Sequence, residues 1–289
     1  MFSRCLAAVT VGSARRPGAS RVQDLRTKLQ VFVQTMRADP NRPVILSEGD
    51  SWFSYPINRN LMDFIEMMRE FATLRLEHNG DEVLDILKPS GEQFKKLAKY
   101  LKRYPFDALL FSGGGNDIVD ENLPALLNRK TPGMTWRDCI NETALTARFN
   151  EIVAAYEGLL AMRDSARKDC LIVTHCYDYP VPNGIKARVA FGLASRGPWI
   201  KPHLVRKNID PIVDGVPILR FFMDQFYERL QAIAAMPNSK FHVVDSRRTL
   251  IPNEPVHWAD EMHPSGTGFE LLSKRWRVEL AKLFPEWAL

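Results

Sequence analysis

The chain has 289 residues, with 39 Lys+Arg against 34 Asp+Glu and a formal charge of +5. Hydrophobic residues make up 45% and charged residues 25%, which is the balance of a globular protein with a sizeable core and excludes intrinsic disorder, collagen-like repeats and a disulfide scaffold. No run reaches the ~18–20 uninterrupted apolar residues of a membrane-spanning helix. The basic residues are scattered among acids and lack the clustered footprint of a nucleic-acid binder.

Met1 to Val11 is mildly apolar, with Arg4 near its start and Arg15-Arg16 behind it. It half fits a secretory signal and faintly resembles a transit peptide, but reads best as a flexible leader. Cys5, Cys139, Cys170 and Cys176 show no CxxC spacing, which points to a reducing, cytoplasmic setting; a cleaved or secreted leader stays open. From Gln23 to Met36, Leu25, Leu29, Phe32, Val33 and Met36 recur at helical spacing, and Asp39-Pro40 stops the helix. The organisation expected is therefore a leader and amphipathic helix over 1–41, then a single domain over 42–289.

That domain alternates strands and helices. β-prone runs fall at Val44–Leu46, Thr73–Glu77, Ala108–Phe111, Leu171–Thr174 and Phe241–Val244. Helical stretches lie at Asn60–Phe71, Glu92–Arg103, Trp136–Arg167, Phe221–Ala235 and from about Thr267 to Leu283, the last opening on a capping-box pattern, Thr267-Gly268-Phe269-Glu270. The alternation predicts an α/β fold, with a parallel sheet between two layers of helices. Tyr177 to Pro217 holds six of the 19 prolines and reads as a long insertion after the fourth strand, on the side where open α/β sheets bind ligands.

Three short motifs stand at loop positions that carry chemistry. Glu48-Gly49-Asp50-Ser51-Trp52 follows the first strand, Gly113-Gly114-Gly115-Asn116-Asp117 follows the third, and Asp260-Glu261-Met262-His263-Pro264 precedes the last helix. Each alone has a plain reading as a turn or cap, Asp117 and Asp120 included. Together they meet the needs of acyl transfer. A serine nucleophile requires a base and a group that orients the base. His263 and Asp260, three residues apart, can supply both for Ser51. An oxyanion requires donors, which the Asn116 amide, the Ser51 N–H and the N–H of Gly80 after the second strand can provide. Gly91 competes with Gly80 but follows a helical stretch. His175 and Tyr177, directly after the fourth strand, are candidates for substrate contact or for loop packing. A metal site at His175/Cys176 lacks partners at ligand spacing, and the glycine run lacks the Lys-Ser/Thr of a phosphate loop.

With these blocks in order the sequence resembles the SGNH hydrolases, the GDSL-like lipase/esterase superfamily, over about Pro43 to Leu283. Gly49-Asp50-Ser51 matches the first block, Gly80 the second, Gly114-Gly115-Asn116-Asp117 the third and Asp260-Glu261-Met262-His263 the fifth. Trp52 stands where many members have Leu. The resemblance implies a three-layer α/β/α sandwich on a five-stranded parallel sheet, of the flavodoxin-like SGNH type. It implies Ser51 as nucleophile, His263 as base, Asp260 as orienter, and an oxyanion hole of Ser51, Gly80 and Asn116, with no cofactor or metal. Asp50, Trp52, Gly115, His175 and Tyr177 are the candidate substrate contacts. The expected reaction is hydrolysis of a small-molecule, lipid or carbohydrate ester, with an acyltransferase or a non-catalytic binding module as rivals. Trp52 and the insertion predict a partly apolar, aromatic-lined cleft. Oligomeric state is not legible.

Overall fold

The computed structural model describes residues 17–189 and 194–289. Of the leader expected over the first twenty residues, 1–16 lie outside the described residues. Helix α1 (Pro17–Ala38) ends where Pro40 forbids its continuation. Its Phe32 is fully buried and packs on Tyr104 and Phe106 at ring separations of 5.2 and 5.5 Å.

Five strands form the central sheet: β1 (Val44–Gly49), β2 (Ala72–Arg75), β3 (Ala108–Ser112), β4 (Leu171–His175) and, late in the chain, β7 (Phe241–Val244). All pair in parallel, in the order β2-β1-β3-β4-β7. Every residue of β1 and β3 is buried, because helices flank the sheet and its central strands meet no water on either face. The helices are α5 (Glu92–Arg103), α6 (Glu142–Arg167), α8 (Val216–Ala234) and α9 (Gly266–Leu283), with the short α2 (Ser51–Ser54), α3 (Leu61–Glu66), α4 (Val83–Ile86) and α7 (Lys201–Arg206). α5 packs on α6 and α6 on α8, while α3 packs on α9. A two-stranded antiparallel hairpin, β5 (Ala187–Val189) with β6 (Ala194–Arg196), stands apart from the main sheet.

Several boundaries differ from the sequence expectation, each for a local reason. α9 is capped by Ser265, whose hydroxyl accepts from Gly268 N–H, so the box expected at Thr267–Glu270 lies inside the helix. The capping box of this molecule is at α3, where Asn60 and Asp63 exchange side-chain and backbone hydrogen bonds. α6 starts at Glu142, because Asn141 accepts from Ala144 N–H and fixes the entry there. α8 starts five residues before Phe221, continuous with a π turn over Pro211–Gly215.

The order reverses at β1: β2 lies to one side, β3 and the later strands to the other. The crevice at such a switch point opens beyond the carboxyl ends of the strands beside it, here β1 and β3. Ser51 follows β1 directly and Asn116 follows β3 by four residues.

Candidate active site

β1 and β3 approach so closely at their ends that only glycine fits. Gly49 sits opposite Ser112, at φ +149°, and a Cβ on it would lie 2.3 Å from the Ser112 carbonyl oxygen. Asp50 N–H donates to that same oxygen at 2.9 Å. The chain then turns into α2, with Asp50 as N-cap accepting from Trp52 N–H. Ser51 is thereby the first helical residue, and its own N–H is one the helix cannot satisfy.

Ser51 Oγ lies 2.8 Å from His263 Nε2. His263 Nδ1 lies 2.9 Å from both oxygens of Asp260. Asp260 also accepts from the backbone N–H of Met262 and of His263, each at 2.9 Å, and from the Tyr55 hydroxyl at 2.7 Å. Burial acts to raise this carboxyl, yet the hydrogen bond and charge of His263, with the Met262 and Tyr55 donors, outweigh it and hold the group below its ordinary value. Nδ1 facing the carboxylate fixes the tautomer: the proton sits on Nδ1, and Nε2 is left to accept from Ser51.

Tyr55 was not legible as a site residue. Its ring stacks on His263 at 4.3 Å while its hydroxyl holds Asp260. The available signal was its position four residues after Ser51, one helical turn on. Trp199 meets the His263 ring edge-on at 5.3 Å.

A cleft of about 360 Å³ opens over this group. Gly80 lines it at φ +83°. Gly91 does not; it is the N-cap of α5. Asn116 lines the cleft too, and one of its amide N–H groups donates to the Asp81 carbonyl at 2.9 Å. The amide has a second donor, and the bond ties Asn116 to the turn that carries Gly80. Asp117 faces the other way. It accepts from Val83 and Leu84 N–H and so caps α4, and burial pushes its carboxyl up to about 7.

Beneath Ser51 lies a second polar network. Asp50 accepts from Ser112 Oγ at 2.7 Å, from the Tyr177 hydroxyl at 2.6 Å and from Trp52 N–H at 3.0 Å. His175, expected as a substrate contact, has no exposed surface. Its Nδ1 accepts from Tyr177 N–H, so Nε2 carries the proton and donates to Ser112 Oγ at 2.9 Å. Burial holds it down to about 3, and it is neutral throughout the physiological range. It is therefore a packing and hydrogen-bonding residue. Trp52 packs on His175 and Tyr177 at 5.2 and 5.0 Å and donates through Nε1 to the Met262 carbonyl. Asp50, Trp52, Gly115 and Tyr177 all border a small chamber of about 30 Å³ beside Ser51.

The cleft lining is mixed, with Pro56, Ile57, Val119, Ala187 and Met262 on its apolar side. Beside Tyr55 and Trp199 it carries Asn79, Glu82, Asp120, Glu121, Asn122 and Arg196. Glu261, between Asp260 and His263 in sequence, points away from it. Its carboxylate accepts from the N–H groups of Gly184, Ile200 and Lys201, at 3.0, 2.7 and 3.0 Å. This residue pins both feet of the β5–β6 hairpin to the loop that presents His263.

Glu48 is buried on β1. Its carboxyl accepts from Gly49 N–H, and burial pushes it up to about 8. With His78 and Asp81 it places three potential metal ligands within 4.8 Å of one another, and Lys96 faces the same carboxyl.

No family model and no curated protein matches the sequence. Solved structures do match in shape. A lipase from a goat rumen metagenome superposes with a TM-score of 0.53 at 15% identity, over 82% of this chain and 96% of that one. What the two share is an α/β fold. A Slackia heliotrinireducens protein provisionally described as an SGNH hydrolase gives a TM-score of 0.48 at 16% identity, over 81% and 97% of the two chains. A family 3 carbohydrate esterase from Talaromyces cellulolyticus gives 0.48 at 11%, over 84% and 99%. At these identities the likeness is one of fold. Among the described residues no helix is long and apolar enough to cross a membrane.

Proposed function

We propose that the chain is a serine hydrolase that cleaves a carboxylic ester through an acyl-enzyme. The observation that carries this reading is the unbroken path Ser51 Oγ–His263 Nε2 and His263 Nδ1–Asp260, at 2.8 and 2.9 Å, opening on a cleft. Ser51 Oγ bonds to the ester carbonyl carbon as its proton passes to His263 Nε2. Asp260 stabilises the imidazolium that forms. Charge on the carbonyl oxygen is met by the N–H groups of Ser51 and Gly80 and by the Asn116 amide. The bond to the alcohol oxygen then breaks, and that oxygen takes the proton from His263. Water repeats the sequence on the acyl-serine and releases the acid. No step needs a metal.

Fluorophosphonate labelling followed by peptide mass spectrometry tests the proposal. A single adduct on Ser51, lost in His263→Ala, is the expected result. No adduct on folded protein would overturn it. Product analysis with added alcohols distinguishes transfer to water from transfer to an acceptor.

A further inference from the structure

The turn that carries Gly80 faces two spaces. Asn79 and Gly80 line the cleft over Ser51, while His78 and Asp81 line a second cavity of about 880 Å³. That cavity lies between α1, the end of β2 and α5, with Leu29, Arg75, Gln93 and Lys96 among its walls. Glu48, on β1, reaches the same spot. One ligand atom from each of Glu48, His78 and Asp81 lies within 4.8 Å of the other two.

Two features of this group point to an ion. The first is its spacing. Donors about 2.0–2.2 Å from a shared ion stand roughly 3–4.4 Å apart, and His78 Nδ1 lies 3.8 Å from Asp81 Oδ2. Small side-chain rotations bring all three donors into that range. The second is Glu48 itself, which is only 1% exposed. One of its oxygens accepts from Gly49 N–H, and the other accepts no hydrogen bond among the described residues. The carboxylates of Glu77 and Asp81 crowd it further, and the charge of Lys96 is the smallest of the influences on it. A carboxylate buried with so little compensation is costly, and a cation against its second oxygen offsets that cost.

The surroundings suit such an ion. Gly49 N–H holds Glu48 and the Gln93 amide donates to the Asp81 carboxylate, as the outer partners of metal ligands do. The His78 and Asp81 side chains are 39% and 27% exposed, so an ion can enter from the cavity side and water can fill its remaining positions. One imidazole nitrogen with two carboxylate oxygens fits the Mn²⁺ to Zn²⁺ series, whereas Mg²⁺ and Ca²⁺ favour oxygen alone.

We propose that Glu48, His78 and Asp81 bind one first-row divalent ion of the Mn²⁺ to Zn²⁺ series. The ion sits behind the cleft wall and touches nothing that the cleft holds. It joins the end of β1, just before Ser51, to the turn on both sides of Gly80, where His78 N–H already donates to the Gly49 carbonyl at 3.0 Å. Asn116, whose amide donates to the Asp81 carbonyl, is tied to the same turn. The site is a brace for that wall, and it stands whether or not Ser51 is a nucleophile.

The test is calorimetric titration of the chelator-treated full chain with Zn²⁺, Mn²⁺, Mg²⁺ and Ca²⁺, with melting temperature and amide hydrogen exchange as further readouts. The expected result is one Zn²⁺ or Mn²⁺ per chain, a raised melting temperature and slower exchange over residues 78–81. Glu48→Gln and His78→Ala should each weaken binding by about tenfold or more. If Glu48→Gln fails to fold, His78→Ala, at the more exposed position, decides alone. Affinity unchanged in folded variants overturns the proposal, because the ion is then held elsewhere. So does a chain that binds neither Zn²⁺ nor Mn²⁺, or one that prefers Mg²⁺ or Ca²⁺. Binding that leaves exchange over residues 78–81 unchanged overturns the brace.

Discussion

Two buried aspartates flank Ser51, and they are built alike. Asp50 and Asp260 each accept from a tyrosine hydroxyl, Tyr177 and Tyr55, and from backbone N–H, one group at Asp50 and two at Asp260. Each belongs to a network that contains a histidine. Yet burial leaves Asp50 raised above its ordinary value, while Asp260 is held below it. The difference lies in the histidines. His175 sits one hydroxyl away from Asp50, is enclosed on every side and stays neutral, so Asp50 meets only neutral donors. His263 touches Asp260 directly and can take up a proton from Ser51. A buried carboxylate keeps its charge where a partner can become cationic. One network holds the turn in place; the other is arranged to move charge.

Exchanging single atoms on the two sides is the sharpest way to break the comparison. Asp260→Asn keeps the shape but inverts the tautomer preference at Nδ1, and turnover should fall roughly 10⁴-fold with melting temperature little changed. Asp50→Asn should do the reverse. It sets an amide N–H group against one of the three donors and costs about 1–3 kcal/mol of stability, read by denaturant unfolding, with turnover falling far less. Equal losses of turnover in the two variants would refute the division of labour.

The oxyanion side comes next. Asn116→Ala should lower kcat by about 10²–10³ with KM nearly unchanged, because the lost donor acts on charge that develops only in the transition state. A smaller effect follows from Tyr55→Phe, which keeps the ring stacked on His263 and removes only the hydroxyl bond to Asp260. A hydrogen bond to a charged group contributes ~1.5–3 kcal/mol, so kcat/KM should fall on the order of tenfold. The carboxyl of Asp260 should also rise. Its depressed value stabilises the fold above the ordinary carboxylate range, and that stability is lost as pH falls through it. Acid unfolding should therefore be shallower in Tyr55→Phe.

Glu48 supplies the mildest test and the opposite sign. Its carboxyl is raised from 4.5 to about 8, so the folded state prefers the neutral form. Its contribution is full below about 4.5 and is lost as pH rises through 8. Glu48→Gln keeps an acceptor for Gly49 N–H and should raise the melting temperature by roughly 2–4 °C at pH 9, with no gain at pH 5. Equal shifts at both values would remove ionisation as the cause.

The parts of this molecule that depend on neighbours in sequence were legible. Apolar runs such as Leu109-Leu110-Phe111 mark buried parallel strands, and Asp260 with His263 falls within one loop. Parts that depend on distant partners were not. His175 beside Tyr177 reads equally as a substrate contact or as loop packing until Ser112, on the adjacent strand, is seen to engage its second nitrogen. Tyr55 acquires its role only when α2 comes against the 260–263 loop, which is 205 residues away. The start of α9 misled because two hydroxyl residues, Ser265 and Thr267, compete for one cap; Pro264 ahead of Ser265 favours the earlier entry.

Glu261 gives the hairpin an unusual kind of independence. Its three backbone hydrogen bonds clamp residues 184, 200 and 201 to the loop that carries His263, so the chain between those clamps leaves and returns at fixed points. Ala187, Arg196 and Trp199 lie within that span and face the cleft. A graft that replaces residues 185–199 would exchange this part of the cleft lining as a cassette, while His263 keeps its place.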